Sequence, residues 1–170
     1  MRTVKRIVAL FILAVSFGAC EKIYHWCSPA RFEYSFSKSK RIDTTRLMIS
    51  DPIFEFYSFQ INGGDKNVFS YTHRFKDCPD IADDEGTRRI IFEIPTDIDH
   101  FLLNDSISLV KSKCILSLAC ECYPSYPVLL KSGSIEGTKI NTNTWKIKAS
   151  LKVSDSFSGT IDFEQLFAVQ

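Results

Sequence analysis

The sequence predicts an all-β protein: a single antiparallel β-sandwich or barrel-like domain of about eight or nine strands, following an N-terminal signal peptide. Short runs rich in aromatic and β-branched residues recur along residues 31–170. Several of these runs alternate apolar and polar residues, which is typical of strands with one buried face. A helical pattern is visible in one short segment of this region, 96–104, with Thr96 as its cap.

The first half of the domain contains four predicted strands, at 31–37, 53–61, 67–75 and 89–94. In the first of them, three aromatic side chains share one face: Phe32, Tyr34 and Phe36. Gly63-Gly64-Asp65 lies between the second and third runs. Such a sequence predicts a hairpin turn.

The second half contains further strands at 106–122 (one long or two short), 144–153 and 159–169. The pattern in 144–153 is the clearest of the chain. Its odd-numbered residues are predicted to be buried, and lysines and serine occupy the other face: Trp145, Ile147, Ala149, Leu151 and Val153 against Lys146, Lys148, Ser150 and Lys152. The segment 141–143 predicts the turn before this strand.

The first 19 residues have the layout of a signal peptide. Three basic residues, Arg2, Lys5 and Arg6, precede an uncharged apolar run at 7–17. As a helix, an apolar segment from 7 to 19 would be only about 20 Å long at ~1.5 Å per residue. The hydrocarbon core of a bilayer is about 30 Å thick, so this segment is too short to span it.

A cysteine follows the signal peptide directly. Gly18-Ala19 before Cys20 resembles the lipobox of bacterial lipoproteins, although Phe17 stands where Leu is usual. We therefore expect cleavage before Cys20 and attachment of lipid to that cysteine, with plain secretion as the alternative. The predicted organisation is a signal peptide at 1–19, a lipid-anchored tether at 20–30 and one all-β domain at 31–170.

The mature chain, 20–170, is 151 residues long, which fits one domain and is enough to bury a hydrophobic core. Without Arg2, Lys5 and Arg6, 18 basic residues face 20 acidic ones, a formal charge of −2. A nucleic-acid surface would show a basic excess, so we expect no nucleic-acid partner. We also expect no cofactor.

Five cysteines remain after Cys20, and export would permit disulfides. Cys114 alternates with Leu116 and Leu118, so we expect it to be a buried free thiol. The disulfide candidates are the other four: Cys27, Cys78, Cys120 and Cys122. We expect each of the first two to bond one of the last two. A metal site made of these cysteines with His25 and His73 lacks a Cys-x-x-Cys spacing, and we expect none.

Two sequence features resemble a known type of protein. They are the stretch 127–140 followed by Trp145-Lys-Ile, and Cys120-Glu-Cys122 before a Tyr-Pro loop. Both resemble uncharacterised β-rich outer-membrane or periplasmic lipoproteins of the Bacteroidota type, over about residues 114–167. The resemblance implies a lipid-anchored protein of the cell envelope, on the periplasmic or surface face of the outer membrane, and no known chemistry.

Two function classes remain open at this point. The first is a non-catalytic binding module that contacts envelope protein or glycan through aromatic loop residues, with Tyr123 and Tyr126 as the candidates and Tyr24 and Trp26 outside the strand pattern as well. The second is a small envelope hydrolase using Asp97, Asp99 or His100 as acid–base groups. No nucleophile motif accompanies those three, so we assign no catalytic residue. The acidic residues of 80–85 lack the spacing of a calcium loop, and we expect a solvated turn.

Overall fold

The computed structural model describes residues 27–47, 56–77, 86–119, 127–153 and 159–170, and every structural statement below concerns these residues. They form one short helix, α1 (Ser106–Lys111), and ten strands: β1 (Arg31–Leu47), β2 (Phe56–Gly63), β3 (Lys66–Arg74), β4 (Thr87–Pro95), β5 (His100–Leu103), β6 (Ile115–Ala119), β7 (Val128–Leu129), β8 (Gly133–Asn141), β9 (Thr144–Val153) and β10 (Gly159–Val169).

All ten strands belong to one hydrogen-bonded sheet in the order β2-β7-β6-β4-β3-β1-β10-β9-β8-β5. The all-β class is therefore confirmed. The expected eight or nine strands are ten in the described chain, and a single sheet, of which only six strands close on themselves, replaces the expected sandwich or barrel-like domain. One pairing is parallel, between β1 and β10, where Ser35 lies opposite Ala168 and Phe36 opposite Val169.

Strand β1 is long enough to pair with two strands in succession. Its first part is antiparallel to β3 and its second part to β2, and Lys40 lies opposite both Gly63 and Lys66. The Gly63-Gly64-Asp65 segment is therefore a corner between two strands that both flank β1, and the predicted β2–β3 hairpin is wrong. At this corner the Gly64 N–H donates to the carbonyl of Ser39 at 3.0 Å. A Cβ at Gly64 would lie 2.7 Å from Arg41 Cβ, so the close approach requires glycine.

The double pairing of β1 closes a circuit of strands, β1-β2-β7-β6-β4-β3-β1. All six strands of the circuit contribute to a small core cluster made of Ile42, Val68, Ile91 and Ile115 with Phe59, Ile61 and Leu129 packed against it. The alternation of side chains along each strand puts these residues on one face. Side chains on the opposite face of β1, β3 and β4 belong to a second, larger cluster.

The larger cluster packs β3 and β4 against β5, β8, β9 and β10. Trp145 on β9 is 1% exposed and meets Phe69 of β3 with ring centroids 5.6 Å apart. It also lies 5.7 Å from the Phe101 ring of β5. The predicted strand 144–153 and the burial of Trp145 are both confirmed. Burial of such an aromatic residue removes the largest apolar area that a single side chain offers.

The helix lies one segment later than predicted. Residues 100–103 form strand β5 with Phe101 and Leu103 buried, a period of two that overrides the helical pattern of 96–104. The helix begins after Asp105, whose carboxylate accepts from the Ser108 N–H at 2.8 Å. The Ser108 side chain in turn bonds the Asp105 backbone N–H, which completes a capping box. The strand predicted at 106–122 is therefore wrong for its first part and correct for 115–119.

Candidate functional site

Aromatic residues occupy three successive rows across one face of β1, β3 and β4. The innermost row, Phe36–Phe69–Phe92, is buried, with ring centroids 5.3 and 5.0 Å apart. The next row pairs Tyr34 with Tyr71 and Ile90, and the outermost pairs Phe32 with His73 and Arg88. Exposure increases outward along β1, from 1% at Phe36 to 53% at Phe32.

The two outer rows form a continuous surface of touching rings, which we call the aromatic surface: Phe32, Tyr34, Tyr71, His73, Phe75 and Phe163. Phe32 stacks on His73 with centroids 4.2 Å apart and planes at 14°. Phe75 meets His73 edge-on at 4.8 Å. Tyr71 stacks on Phe163 of β10 at 4.7 Å. The surface thus joins three strands and merges with the large core cluster, which holds its rings in place.

The exposure of Phe32 has a topological cause. On this side of β1 the neighbouring strand is β10, and the two strands pair only at Ser35–Ala168 and Phe36–Val169. Toward Arg31 no strand of the described chain is bonded to this edge of β1. The alternation of β1 still directs Phe32 to the same face as Phe36, but the covering strand has ended its pairing. Phe32 therefore presents an apolar ring to the exterior.

The electrostatics of the aromatic surface are dominated by one cation. The guanidinium of Arg88 lies 5.5 Å from the centroid of the Phe75 ring, a cation–π distance. Desolvation, followed by the charge of Arg88, holds the pKa of His73 below its usual value of 6.5. His73 is therefore neutral at neutral pH. Burial raises the pKa of Tyr34 and of Tyr71, so both phenols keep their protons.

Four adjacent strands share one end, and the N-terminal segment enters the sheet there. The residues Arg31, Arg74, Thr87 and Ala119 lie side by side across β1, β3, β4 and β6. Beyond this row, Ser28 forms an antiparallel bridge with Asp77. We call this region the tether end of the sheet, defined by the Ser28–Asp77 bridge, Gly86 and Ala119. Among the described aromatic residues, Phe32 and Phe75 are the nearest to it in the sequence.

The cysteine candidates cluster at the tether end in the sequence. Cys27 precedes the Ser28 bridge, Cys78 follows Asp77, and Cys120 follows Ala119. Cys27 is disulfide-bonded. The other described cysteine, Cys114, is free. Cys78, Cys120 and Cys122 lie outside the described residues, so the pairing of Cys27 with one of them stays a prediction.

The expectation for Cys114 is confirmed. The residue is fully buried and free, between α1 and β6. Burial raises the pKa of its thiol to about 12. Because the thiolate is the reactive form, this cysteine behaves as a small hydrophobic residue.

The acid–base candidates lie on the surface at or just before β5, and two of them contact side chains of β8. Asp99 accepts from Lys139 of β8 at 2.8 Å with 82% of its side chain exposed. His100 lies 3.4 Å from Glu136, also of β8. Asp97 is exposed as well. The three candidates are close in sequence, and two of them, Asp99 and His100, contact side chains of β8.

Several sequence candidates fall outside the described residues: Cys20, Tyr24, His25, Trp26, Asp80, Asp83, Asp84, Glu85, Tyr123 and Tyr126. Within the described ranges, no group of three or more His, Cys, Asp or Glu side chains is placed to hold a metal ion. In the same ranges, no helix has the length and hydropathy needed to cross a bilayer.

Comparison of the chain with protein-family models, curated proteins and solved structures finds no significant match.

Proposed function

We propose that the mature chain is a membrane-anchored envelope lipoprotein that acts by binding rather than catalysis, and that the aromatic surface is its binding surface. The observation that carries this proposal is the exposed Phe32 ring, stacked on His73 at 4.2 Å. An exposed ring held by such contacts offers a large, rigid apolar area with a polar neighbour, which suits a binding partner.

A binding role also fits the surroundings of the former acid–base candidates. A hydrolase needs its nucleophile, base and oxyanion donors to converge on one point. Asp99 and His100 instead form exposed pairs with Lys139 and Glu136, on the strand beside them. These contacts join the region of β5 to β8, and they give no support to the alternative function, a hydrolase.

The proposed anchor is the lipid on Cys20, after removal of residues 1–19, and the proposed location is the outer membrane. The test is the variant Cys20→Ser in a bacterial host that processes lipoproteins. We expect the wild-type protein to gain the mass of its acyl chains and to partition into detergent. The variant should remain uncut or be miscut, and should leave the membrane fraction. Normal maturation of Cys20→Ser contradicts the anchor.

The binding surface is tested by a photoreactive phenylalanine analogue in living cells. Position 32 is the probe, and position 102 is a matched control because Leu102 is 52% exposed, against 53% for Phe32, on the distant strand β5. We expect crosslinks to an envelope component from position 32 and few from position 102. Equal crosslinking from the two positions, or none from position 32, contradicts the assignment of the surface.

A further inference from the structure

We infer that the aromatic surface docks on the lipid bilayer that carries the anchor, so that the tether end of the sheet faces the membrane. This inference rests on the proposed function, since it requires the lipid on Cys20. It adds the identity of the partner and the orientation of the domain.

The length of the tether is the first argument. Six residues lie between Cys20 and Cys27, and the seven residue steps from one to the other span at most about 25 Å when fully extended, at ~3.3–3.6 Å per residue. The Ser28–Asp77 bridge then joins the chain to the tether end. The anchor therefore holds this end of the domain near the lipid headgroups.

The chemistry of the surface is the second argument. Phe32 and Phe75 supply apolar rings, Tyr34 supplies a phenol, and His73 supplies a neutral imidazole beside the Arg88 cation. Rings with a polar edge are favoured at the boundary between hydrocarbon and water, and long basic side chains extend toward the headgroups. The described aromatic surface therefore has the composition of an interfacial contact.

Charge does not select a particular headgroup. Arg31, Lys76 and Arg88 lie near the tether end, but the segment 78–85 between Asp77 and Gly86 contains four acidic residues. We therefore assign the docking to aromatic and apolar contact, which a zwitterionic bilayer satisfies. Tethering also makes docking an intramolecular event at a high effective concentration, so a weak contact is sufficient.

The experiment uses the mature lipoprotein in phosphatidylcholine nanodiscs that contain a small fraction of lipid with a gadolinium-chelating headgroup. Backbone amide signals are recorded by NMR with and without the metal. We expect loss of the signals of Phe32, His73 and Arg88 at the tether end. The signals of Gly64 and Lys66, at the corner where β2 meets β3, should be retained.

Two variants sharpen the test. Phe32→Ser should weaken the signal loss at the tether end relative to the wild-type protein, while Leu102→Ser, which removes an equally exposed apolar residue from β5, should leave it unchanged. A dispersed amide spectrum shows that each variant is folded. If Phe32→Ser does not fold, Phe75→Ser on the same aromatic surface takes its place, with the same expected result.

The outcomes separate the two proposals. A protein without acyl mass that elutes apart from the nanodiscs overturns both the anchor and the docking. An acylated protein whose signal loss at the tether end is the same in the wild-type protein and in the Phe32→Ser variant overturns the docking alone. That second result is also the one expected if the surface binds an envelope glycan or protein, because the nanodiscs contain only lipid.

Discussion

Replacement of Glu93 by alanine should destabilise the protein strongly. Glu93 on β4 is 7% exposed, and its carboxylate accepts from the Ile42 N–H of β1 at 2.6 Å. Its other oxygen lies 3.1 Å from Lys113 Nζ. Lys113 also donates to the carbonyl of Ile42. One carboxylate therefore fixes the second half of β1 to β4 and to the segment after α1.

The magnitude follows from what the alanine variant leaves behind. Removal of one partner from a buried ion pair costs about 3–5 kcal/mol, and a buried N–H without an acceptor accounts for about 1–3 kcal/mol of such a loss. Lys113 is partly exposed and can turn to water, so we expect a loss of about 3 kcal/mol in the free energy of unfolding, at the low end of the range. Glu93→Gln keeps an acceptor for Ile42 and should cost only about 1 kcal/mol, the difference between a charged and a neutral hydrogen bond.

The assay is equilibrium unfolding in urea with the disulfide intact, followed by near-UV circular dichroism of the packed aromatic residues. With a urea dependence of about 1–3 kcal/mol per M, the alanine variant should unfold at a midpoint about 1–3 M lower. Glu164→Ala is the control, because its pair with Lys146 is shorter, at 2.6 Å, but exposed to solvent. Its effect should be much smaller. A loss below about 1 kcal/mol for Glu93→Ala would refute the reasoning, since Ile42 and Lys113 would then have found other partners.

Three further predictions concern single side chains. Trp145→Ala should lower the free energy of unfolding, measured in urea, by about 3–5 kcal/mol, because it leaves a cavity where Trp145 of β9 packs against β3. A loss below about 1 kcal/mol would contradict the burial of Trp145. Cys114 should resist alkylation at pH 8 in the folded protein and react once urea unfolds it, and mass mapping of the same non-reduced sample identifies the cysteine bonded to Cys27. Because the folded-state pKa of His73 is lowered, the unfolded chain binds a proton more readily. Stability should thus fall as the pH drops below about 6.5 and through the folded-state pKa of His73, and this loss should be absent in His73→Gln, as thermal unfolding at pH 7 and pH 5 would show.

The parts of the fold that the sequence predicted correctly are those set by the local alternation of apolar and polar residues. In β9, every second residue from Trp145 to Leu151 is buried, and the neighbouring residues are exposed lysines and serine. At the turn before β9, the Asn143 N–H donates to the Asn141 side-chain oxygen at 2.8 Å, a contact typical of asparagine in a turn. Such features depend on residues a few positions apart, so they can be read without knowledge of the fold.

The features that were missed depend on pairing between distant strands. The aromatic surface needs Phe32 opposite His73 and His73 opposite Arg88, and no local pattern specifies this register. The predicted hairpin at Gly63-Gly64-Asp65 failed for the same reason, because its glycines serve a corner against Ser39 of β1 rather than a reversal of the chain. The helix was predicted one segment too early because the apolar spacing of 96–104 is compatible with a helix, whereas the capping box of Asp105 and Ser108 starts the helix only after residue 105.

The parallel contact between β1 and β10 has a consequence for how the chain acquires its structure. It joins Ser35 to Ala168 across 133 positions, and the Gln170 N–H also donates to the Phe36 carbonyl at 2.9 Å. If synthesis or the proposed export presents the N-terminal part first, β1 can pair with β2 and β3 early. Its pairing with β10 must wait until the last strand is available. Topologies with such distant pairings fold slowly, and apolar strands that stay uncovered during such a delay are prone to association.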